Sequence, residues 1–243
     1  MEPKDDLEVM LGAARFATYL READGDVERA VSLYRWNAQL SSALHYQLSH
    51  FEVLTRNAID ITLREWNYKI CGHREWSFEG KSAGLLYRIL RRPMTQARKR
   101  AQQESRRRKV GHARRNASFT HDDVVSQFTL GNWSTLLGEA LPVHHESAKV
   151  LWSECLHKAF AQVPALDTSR EDTGRKFERI THLRNRVSHQ ENLLSTNVNR
   201  RLNDMLSVLG AINPDYPGWS MSGSPLRRVT RADPRRVWAL DDP

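Results

Sequence analysis

Apolar residues recur every three or four positions over a long stretch of this chain, starting at Val27. The members of the stripe are Val31, Tyr34, Leu40, Leu44, Leu48, Phe51, Leu54, Ala58 and Ile61. This spacing is typical of the single buried face of an α-helix. We therefore predict one long helix that begins at Val27 and ends near Asn67, and the rest of the chain must pack around it.

The remaining segments also follow the helical period, and none shows the sustained alternation of a half-buried strand. We predict shorter helices over residues 7–20, 82–92, 120–128, 132–137, 148–160, 168–189 and 195–209. Pro93 is expected to interrupt the second of these, because proline lacks the backbone donor that a helix interior needs. The predicted fold class is all-α, an irregular helical bundle.

A chain of 243 residues can form one large domain. We predict a single helical domain over residues 1–212. Residues 213–243 are rich in Pro, Gly, Ser and Arg, so we expect a flexible, poorly ordered C-terminal tail there.

Composition points to a cytoplasmic protein without a cofactor. No apolar run approaches the ~20 residues that span a bilayer, and the N-terminus is acidic where a signal peptide is basic. Two cysteines are too few for a disulfide framework or a Cys-rich zinc site. The adjacent pair His144 and His145 would point about 100° apart on a helix, a poor geometry for two ligands, so we predict no metal site.

Positive charge is concentrated in one region. The chain carries a net charge of +8, and residues 88–115 hold twelve Lys and Arg against one acid, Glu104, so they carry +11 and the remainder −3. We predict a basic insertion over residues 91–118, a solvated helix or mobile loop that cannot bury a face because it has almost no apolar residues.

Such a charge density should attract the phosphates of a polyanion at physiological salt. The residues predicted to bind RNA are Arg98, Lys99, Arg100, Arg106, Arg107, Arg108, Lys109, Arg114 and Arg115. Few aromatic residues are interleaved, so the tract is expected to bind phosphates without reading bases. Arginines of the C-terminal tail are a candidate second binding arm.

The segment RNRVSH, residues 184–189, lies at the predicted C-terminal end of a helix. A neutral-pH imidazole such as that of His189 can accept a proton from a ribose 2′-hydroxyl or donate one to a leaving oxygen. The Arg184 guanidinium can bind a phosphate and stabilise the charge that develops on it. Asn185, one turn before His189, is placed to orient the ring. These residues predict metal-independent RNA cleavage that leaves a 2′,3′-cyclic phosphate.

Two features qualify this hypothesis. An Arg followed five residues later by a His also arises by chance, and a His near a helix C-terminus can simply interact with the helix dipole. Residues five apart on a helix point about 140° from each other, so one copy makes an awkward site. Two copies facing each other across a twofold axis would form a better phosphate-binding cleft.

RNRVSHQE resembles the signature of the HEPN superfamily of helical ribonucleases. The chain is more narrowly similar to Abi-like abortive-infection proteins, which share a Tyr-x-Trp-Asn segment followed by a Glu and an Arg-Asn pair, matched here by LYRWNAQLSSALHYQLSHFEVLTRNAI. QFTLGNWSTLL and VLWSECLHKAF extend the similarity, which covers about residues 27–209 and leaves the basic insertion outside. Gln190 departs from the family, which usually has a second His there.

The resemblance implies a HEPN-type bundle that dimerises through its motif helices, with Arg184, Asn185 and His189 as catalytic residues. It also implies a toxin-like RNase in phage defence, acting alone or in a larger defence complex and restrained by an RNA or protein partner.

Glu52 and Arg56 are four apart on the long helix, with Asn57 next to them. Such a pair is either a solvated surface ion pair or, as the family pattern suggests, part of a buried polar network that supports RNRVSH together with Glu191.

Two other functions stay open. A non-catalytic RNA-binding or scaffolding subunit would use the basic tract alone. A DNA-binding regulator is disfavoured, because no helix-turn-helix is evident and 2′-hydroxyl chemistry has no use on DNA.

Overall fold

The computed structural model describes residues 4–241, which contain helices and no strand, as predicted. The helices are α1 (Lys4–Leu11), α2 (Ala13–Arg21), α3 (Val27–Cys71), α4 (Gly84–Arg107), α5 (His121–Val125), α6 (Leu130–Thr135), α7 (His145–Glu154), α8 (Asp167–Ser188), α9 (Val198–Ile212), α10 (Tyr216–Met221), α11 (Leu226–Arg231) and α12 (Arg235–Asp241), with 3₁₀ helices at Pro142–His144 and Leu156–Phe160. None of the helices in this part of the chain has the length and apolar character needed to cross a bilayer.

The fold comprises two compact units. The terminal unit consists of the chain up to Ser49, Arg184–Val198 and the chain from Ser220 onward. The central unit consists of His50–Leu183 and Asn199–Trp219. This division differs from the predicted single domain that ends at residue 212. Helix α3 contributes residues to both units.

The long helix is confirmed, and it begins at Val27 as predicted. It continues beyond Asn67 to Cys71. Asn67 is fully buried and uses all of its amide: its Nδ2 donates to the carbonyls of His73 and Lys81 at 2.6 and 2.7 Å, and its Oδ1 accepts from the N–H of Ala83 at 2.7 Å. The last turn of α3 therefore fixes the loop that follows it.

The C-terminal segment is helical, so the prediction of a poorly ordered tail is wrong within the described residues. Leu226 is fully buried, and the carbonyl of Val229 accepts a 2.8 Å hydrogen bond from Trp36 Nε1 in the terminal unit. Arg235 lies over the Trp36 ring and pairs with Asp233. Composition suggested disorder because it is dominated by Pro, Gly and Arg, whereas a few apolar residues are sufficient to attach the segment.

Helix α4 corrects two predictions about the basic region. Pro93 does not end the helix, which continues to Arg107. The helix also buries a face, because Met94, Ala97, Ala101 and Ser105 recur every three or four residues and are buried where α4 packs against α5, α6 and α7. Small residues make this possible: a helix of arginines can approach its neighbours closely along a stripe of alanine and serine. One face of residues 91–107 is therefore part of the core of the central unit.

The short helices begin at capping boxes. Thr120 and Asp123 form one at the start of α5, and Thr129 and Asn132 form the next at the start of α6. Each box pairs two backbone donors that a helix start would otherwise leave without partners.

Asp60 is the centre of a buried polar cluster in the central unit. Its Oδ1 accepts from Trp76 Nε1 at 2.8 Å and from His121 Nε2 at 3.0 Å, and its Oδ2 accepts from Arg64 Nε at 2.8 Å. With Nε2 protonated, His121 Nδ1 accepts from the Ser77 hydroxyl at 2.8 Å. The order Ser-His-Asp is that of a hydrolase triad, but the Ser77 side chain has 0% exposure, so no substrate reaches it. The cluster is structural.

Replacing Asp60 with Asn should destabilise the fold by about 3–5 kcal/mol, because it leaves buried donors and Arg64 without their anion. Burial raises the pKa of Asp60, but the hydrogen bonds from His121 and Trp76 and the charge of Arg64 outweigh it and lower this pKa. A lowered pKa stabilises the fold above the unfolded value near 4, and this contribution is lost as pH falls through the folded pKa. Asp60→Asn should therefore lose less stability than wild type on acidification.

Urea unfolding at pH 7 and at a series of pH values below 5 measures both effects. Glu65→Gln is the control on the same helix, since Glu65 forms an exposed ion pair with Arg74. Equal stability of the two variants would contradict a structural role for the Asp60 cluster.

Candidate functional site

RNRVSH forms the last turn of α8, as the sequence predicts. The N–H of Glu191 donates to the Arg186 carbonyl at 3.0 Å and the N–H of Gln190 to the Val187 carbonyl at 3.2 Å. This pair of bonds is a Schellman motif, in which His189 is the cap residue and Gln190 takes the left-handed position with φ 55°. Glycine usually fills that position, so a Gln here carries backbone strain at the end of the motif.

The three predicted catalytic side chains lie on the surface of the terminal unit. Arg184 is half-buried, and Asn185 and His189 are exposed. The amide oxygen of Asn185 accepts from Arg184 Nη1 at 3.4 Å, while the Asn185 backbone carbonyl accepts from the N–H of His189 at 2.9 Å. Among the described residues the His189 ring has no hydrogen bond, ion pair or ring contact, and the orienting role of Asn185 stays a prediction.

Arg186 fixes the loop that follows the motif. Its Nη1 donates to Thr196 Oγ1 at 3.0 Å, its Nη2 donates to the carbonyl of Asn192, and its Nε pairs with Glu191 at 3.4 Å. The sequence analysis did not single out this residue, because the periodic pattern treats it as one more polar position in RNRVSH. Its guanidinium spans the loop and holds it against the helix end.

Asn37 anchors the same loop from α3. Its Oδ1 accepts the N–H of Leu193 at 2.7 Å in a buried environment, and its side chain is also hydrogen-bonded to Tyr19. Arg15 Nη1 donates to the carbonyl of Gln190 at 2.9 Å, and Arg235 Nη2 donates to that of Leu194 at 3.2 Å. Asn37 of the Tyr-x-Trp-Asn segment thus holds the loop that follows RNRVSH in the terminal unit.

The four residues predicted to form a supporting network are not buried. In the central unit Glu52 and Arg56 are half-buried and Asn57 is exposed, and Arg56 Nε donates to Asn57 Oδ1 at 3.4 Å. Glu191, in the terminal unit, is exposed and pairs with Arg186. The expected burial is therefore wrong, because solvent reaches this part of α3 and of the loop, and the supporting role stays a prediction.

Most of the predicted RNA-binding cations are exposed in the central unit. The basic side chains of residues 88–115 that have no ion pair, hydrogen bond or ring contact with any described residue are Arg88, Arg92, Lys99, Arg100, Arg106, Arg107, Lys109 and Arg115. Four of them, at positions 88, 92, 99 and 106, fall on one line along α4 and extend about 27 Å. We call this set of eight side chains the basic surface.

Three other members of the predicted set have structural partners. Arg98 Nη1 donates to the carbonyl of Ser77 at 2.9 Å. Arg108 donates to the carbonyl of Arg114 at 3.0 Å, and both arginines pair with Asp123. Burial raises the pKa of Asp123, but its hydrogen bonds with Thr120 and the charge of Arg114 lower it overall. These three cations hold the loop after α4 and are less free to bind phosphate.

One group of potential metal ligands exists in the described residues. His145, Asp167 and Glu171 place ligand atoms within 4.8 Å of one another. The fully buried Arg170 lies among them, with its Nε 2.6 Å from Asp167 and its Nη2 3.4 Å from His145. A guanidinium already balances the negative charge of this cluster, and we assign it a structural role.

A groove of about 680 Å³ opens in the terminal unit. Trp36, Arg35 and Glu28 are among its lining residues, and no residue of RNRVSH belongs to the lining. The motif therefore lies outside this groove.

Comparison of the chain with protein-family models, with curated proteins and with solved structures found no significant match. The function of the motif and of the basic surface is therefore argued from their chemistry.

Asn37→Ala should destabilise the chain by about 1–3 kcal/mol, because it leaves the buried N–H of Leu193 without an acceptor. The amide of Leu193 should also exchange hydrogen faster, since the loop opens locally. Urea unfolding and amide exchange measure the two effects. Gln39→Ala, an exposed change on the same helix, is the control. Unchanged exchange at Leu193 in Asn37→Ala would contradict the anchoring role.

Proposed function

We propose that this chain is a metal-independent endoribonuclease in which His189 and Arg184 act on RNA bound by the basic surface. The observation that carries the proposal is the presentation of both side chains at the end of α8. They reach solvent, while the loop behind them is held by Arg186 and by the buried Asn37. A catalytic pair needs this combination of accessible reacting groups and a rigid support.

Each residue has a defined role in the proposed reaction. His189 removes the proton of a ribose 2′-hydroxyl, and the oxygen attacks the adjacent phosphorus. The bond from phosphorus to the 5′-oxygen breaks, and that oxygen takes a proton from an imidazolium. Arg184 binds the non-bridging oxygens and stabilises the negative charge that develops on them. The products are a 2′,3′-cyclic phosphate and a free 5′-hydroxyl.

The reaction needs both a general base and a general acid, and one chain supplies one motif histidine. Arg184 and His189 are five residues apart at a helix end, so their side chains diverge by about 140°. A homodimer that faces two α8 ends toward each other would supply a second imidazole and bring an arginine from each copy to the same phosphate. We therefore propose a homodimer as the active form.

The proposed cellular role follows from the resemblance of RNRVSH and of Tyr34–Arg35–Trp36–Asn37 to Abi-like HEPN proteins. That role is a toxin-like cytoplasmic RNase in phage defence, restrained by an RNA or protein partner and operating alone or in a larger complex. The bond from Asn37 to the loop that follows RNRVSH supports treating the two segments as one functional arrangement.

His189→Ala should lower the cleavage rate by about 10²–10⁴-fold and Arg184→Ala by about 10²–10³-fold, in buffer with excess chelator. Arg184→Lys should also lose most activity, because an ammonium cannot form two parallel hydrogen bonds to phosphate. Gel analysis of a labelled single-stranded RNA gives the rate, and the cyclic phosphate at the new 3′ end identifies the chemistry.

His182→Ala is the matched control, since His182 is an exposed histidine on the same helix. Loss of cleavage on chelation with recovery on added metal would exclude the proposed mechanism. Full cleavage by His189→Ala would exclude the proposed base.

The basic surface favours a second candidate, a non-catalytic RNA-binding or scaffolding subunit. Its cations lie in the central unit and are free of protein partners, a property that needs no participation by RNRVSH. Under this alternative, RNA binding would depend on α4, and substitution of His189 would have no effect on RNA binding or RNA integrity.

Replacing Lys99, Arg106 and Arg107 together with Ala should weaken RNA binding and lower the slope of log affinity against log salt by about 2–3, because each lost phosphate contact removes close to one released counterion. Fluorescence anisotropy over a salt series measures both. The control changes Lys69, Lys149 and Lys158, three exposed lysines outside the basic surface, to Ala. Equal salt slopes for the two triple variants would show that α4 is not the phosphate-binding element.

A further inference from the structure

An aromatic pair lies beside the basic surface of the central unit. The rings of Phe78 and Phe119 are stacked, with centroids 5.7 Å apart and planes at 16°. Both side chains are half-exposed. Phe78 comes from the loop after α3 and Phe119 from the loop after α4, so the sequence did not reveal that the two rings meet next to the arginines of α4.

The pair lines a groove of about 570 Å³, which lies within the size range of small-ligand sites. Arg106, Gln102 and Asn116 belong to the same lining. One cation of the basic surface and two amides thus surround a stacked aromatic platform. An amide offers both a donor and an acceptor to the edge of a base, and an aromatic face accepts any base by stacking.

The two rings differ in the ring and cation contacts that they make within the protein. Lys81 Nζ lies 5.5 Å from the centroid of Phe78, whose ring also stacks on Phe119. Phe119 has no other ring or cation contact among the described residues. The half-exposed ring of Phe119 is therefore the better place for a planar ligand to extend the stack.

The platform is held in place by the core. Trp76, two residues before Phe78, is fully buried and donates to Asp60, and Asn67 fixes both ends of the loop that contains Phe78. Below Phe119, buried Ser105 donates to the carbonyls of Arg114 and Ala117 at 3.3 and 2.8 Å. Both walls of the groove are thus formed before any ligand binds, which lowers the entropic cost of binding.

We propose that this groove binds an unpaired nucleobase of single-stranded RNA, with the base stacked on Phe119, its edge read by Gln102 and Asn116, and its phosphate bound by Arg106. The inference rests on the proposed function, because it takes RNA as the ligand, and it adds a preference for single strands. It revises the expectation that this region binds phosphates alone.

A preference for unpaired bases has a simple physical reason. A duplex keeps its bases stacked on each other, so none can reach Phe119 without being unpaired and unstacked. The phosphates of a duplex can still bind the basic surface. Removal of cations should therefore weaken the binding of single-stranded and duplex RNA alike. Removal of the Phe119 ring should weaken the binding of single-stranded RNA only.

Phe119→Ala should weaken binding of a single-stranded RNA about fivefold to a hundredfold and leave duplex binding and the salt slope unchanged. Phe119→Trp should keep wild-type affinity, because an indole offers a larger stacking face. Anisotropy with 2′-fluoro oligonucleotides measures this on the full chain, since they lack the 2′-hydroxyl that cleavage requires. Circular dichroism and thermal unfolding establish that the variants fold.

A 2-aminopurine within the single strand gives a second readout that needs no variant. Its fluorescence should be quenched when wild-type protein binds, because stacking on an aromatic ring quenches this base. Quenching that persists in Phe119→Trp and disappears in Phe119→Ala supports the proposal.

Unquenched 2-aminopurine on saturation, or equal losses of single-stranded and duplex affinity in Phe119→Ala, would overturn the nucleobase site. Those outcomes leave the nuclease proposal intact, because cleavage by His189 is measured separately. If the strand binds and stacks while His189→Ala still cleaves at the wild-type rate, the nucleobase site stands and the nuclease mechanism fails.

Discussion

A buried amide or carboxylate destabilises a protein unless its hydrogen-bonding atoms find partners, and Asn37, Asp60 and Asn67 of α3 are buried side chains that find them. Asn37 accepts the N–H of Leu193, Asp60 accepts from Trp76, His121 and Arg64, and Asn67 bonds to three backbone groups of the loop that follows. Except for the bond from Arg64, which lies within α3, each of these bonds attaches a loop or α5 to α3. The loop after α8 and the loop that carries Phe78 are therefore positioned by polar groups of α3, while apolar packing supplies most of the stabilisation.

The same need for hydrogen-bond partners divides the arginines of the basic region into two groups. Arg98, Arg108 and Arg114 lie where carbonyls or Asp123 can accept their hydrogen bonds, and they hold loops in place. The arginines on the opposite side of α4 have no such acceptors, and water or a phosphate must supply them. A stripe that includes Ala97 and Ala101 separates the two roles, because it lets the helix pack closely while its long side chains point outward. Within one tract of similar composition, three arginines therefore hold loops in place, and the cations of the basic surface can bind a ligand.

Sequence periodicity was sufficient for the elements that depend on local spacing. The start of α3 and the position of RNRVSH at a helix end were both predicted correctly. Predictions from composition were wrong where tertiary contacts determine the local structure. Pro93 lies inside a helix that its neighbours stabilise, and Leu226 attaches a segment whose Pro, Gly and Arg content suggested disorder. The stacking of Phe78 on Phe119 and the bond from Leu193 to Asn37 join residues far apart in the chain, so no local pattern could reveal them.

In the candidate site the reacting side chains must be accessible, whereas the residues that support them can be buried. Reacting groups have to meet the substrate, so Arg184 and His189 lie at the surface and contribute little to stability. Their geometry is determined by Arg186 and Asn37, which contact no substrate in the proposed reaction. In one chain the His189 ring has no described side-chain partner, and the side chains of Arg184 and His189 diverge from the helix axis. The loop next to the reacting side chains is held in place, but nothing in one chain brings the two side chains together. In the proposed homodimer a second copy would add an imidazole and a guanidinium. The bonds of Arg186 and Asn37 to the loop would stay as they are.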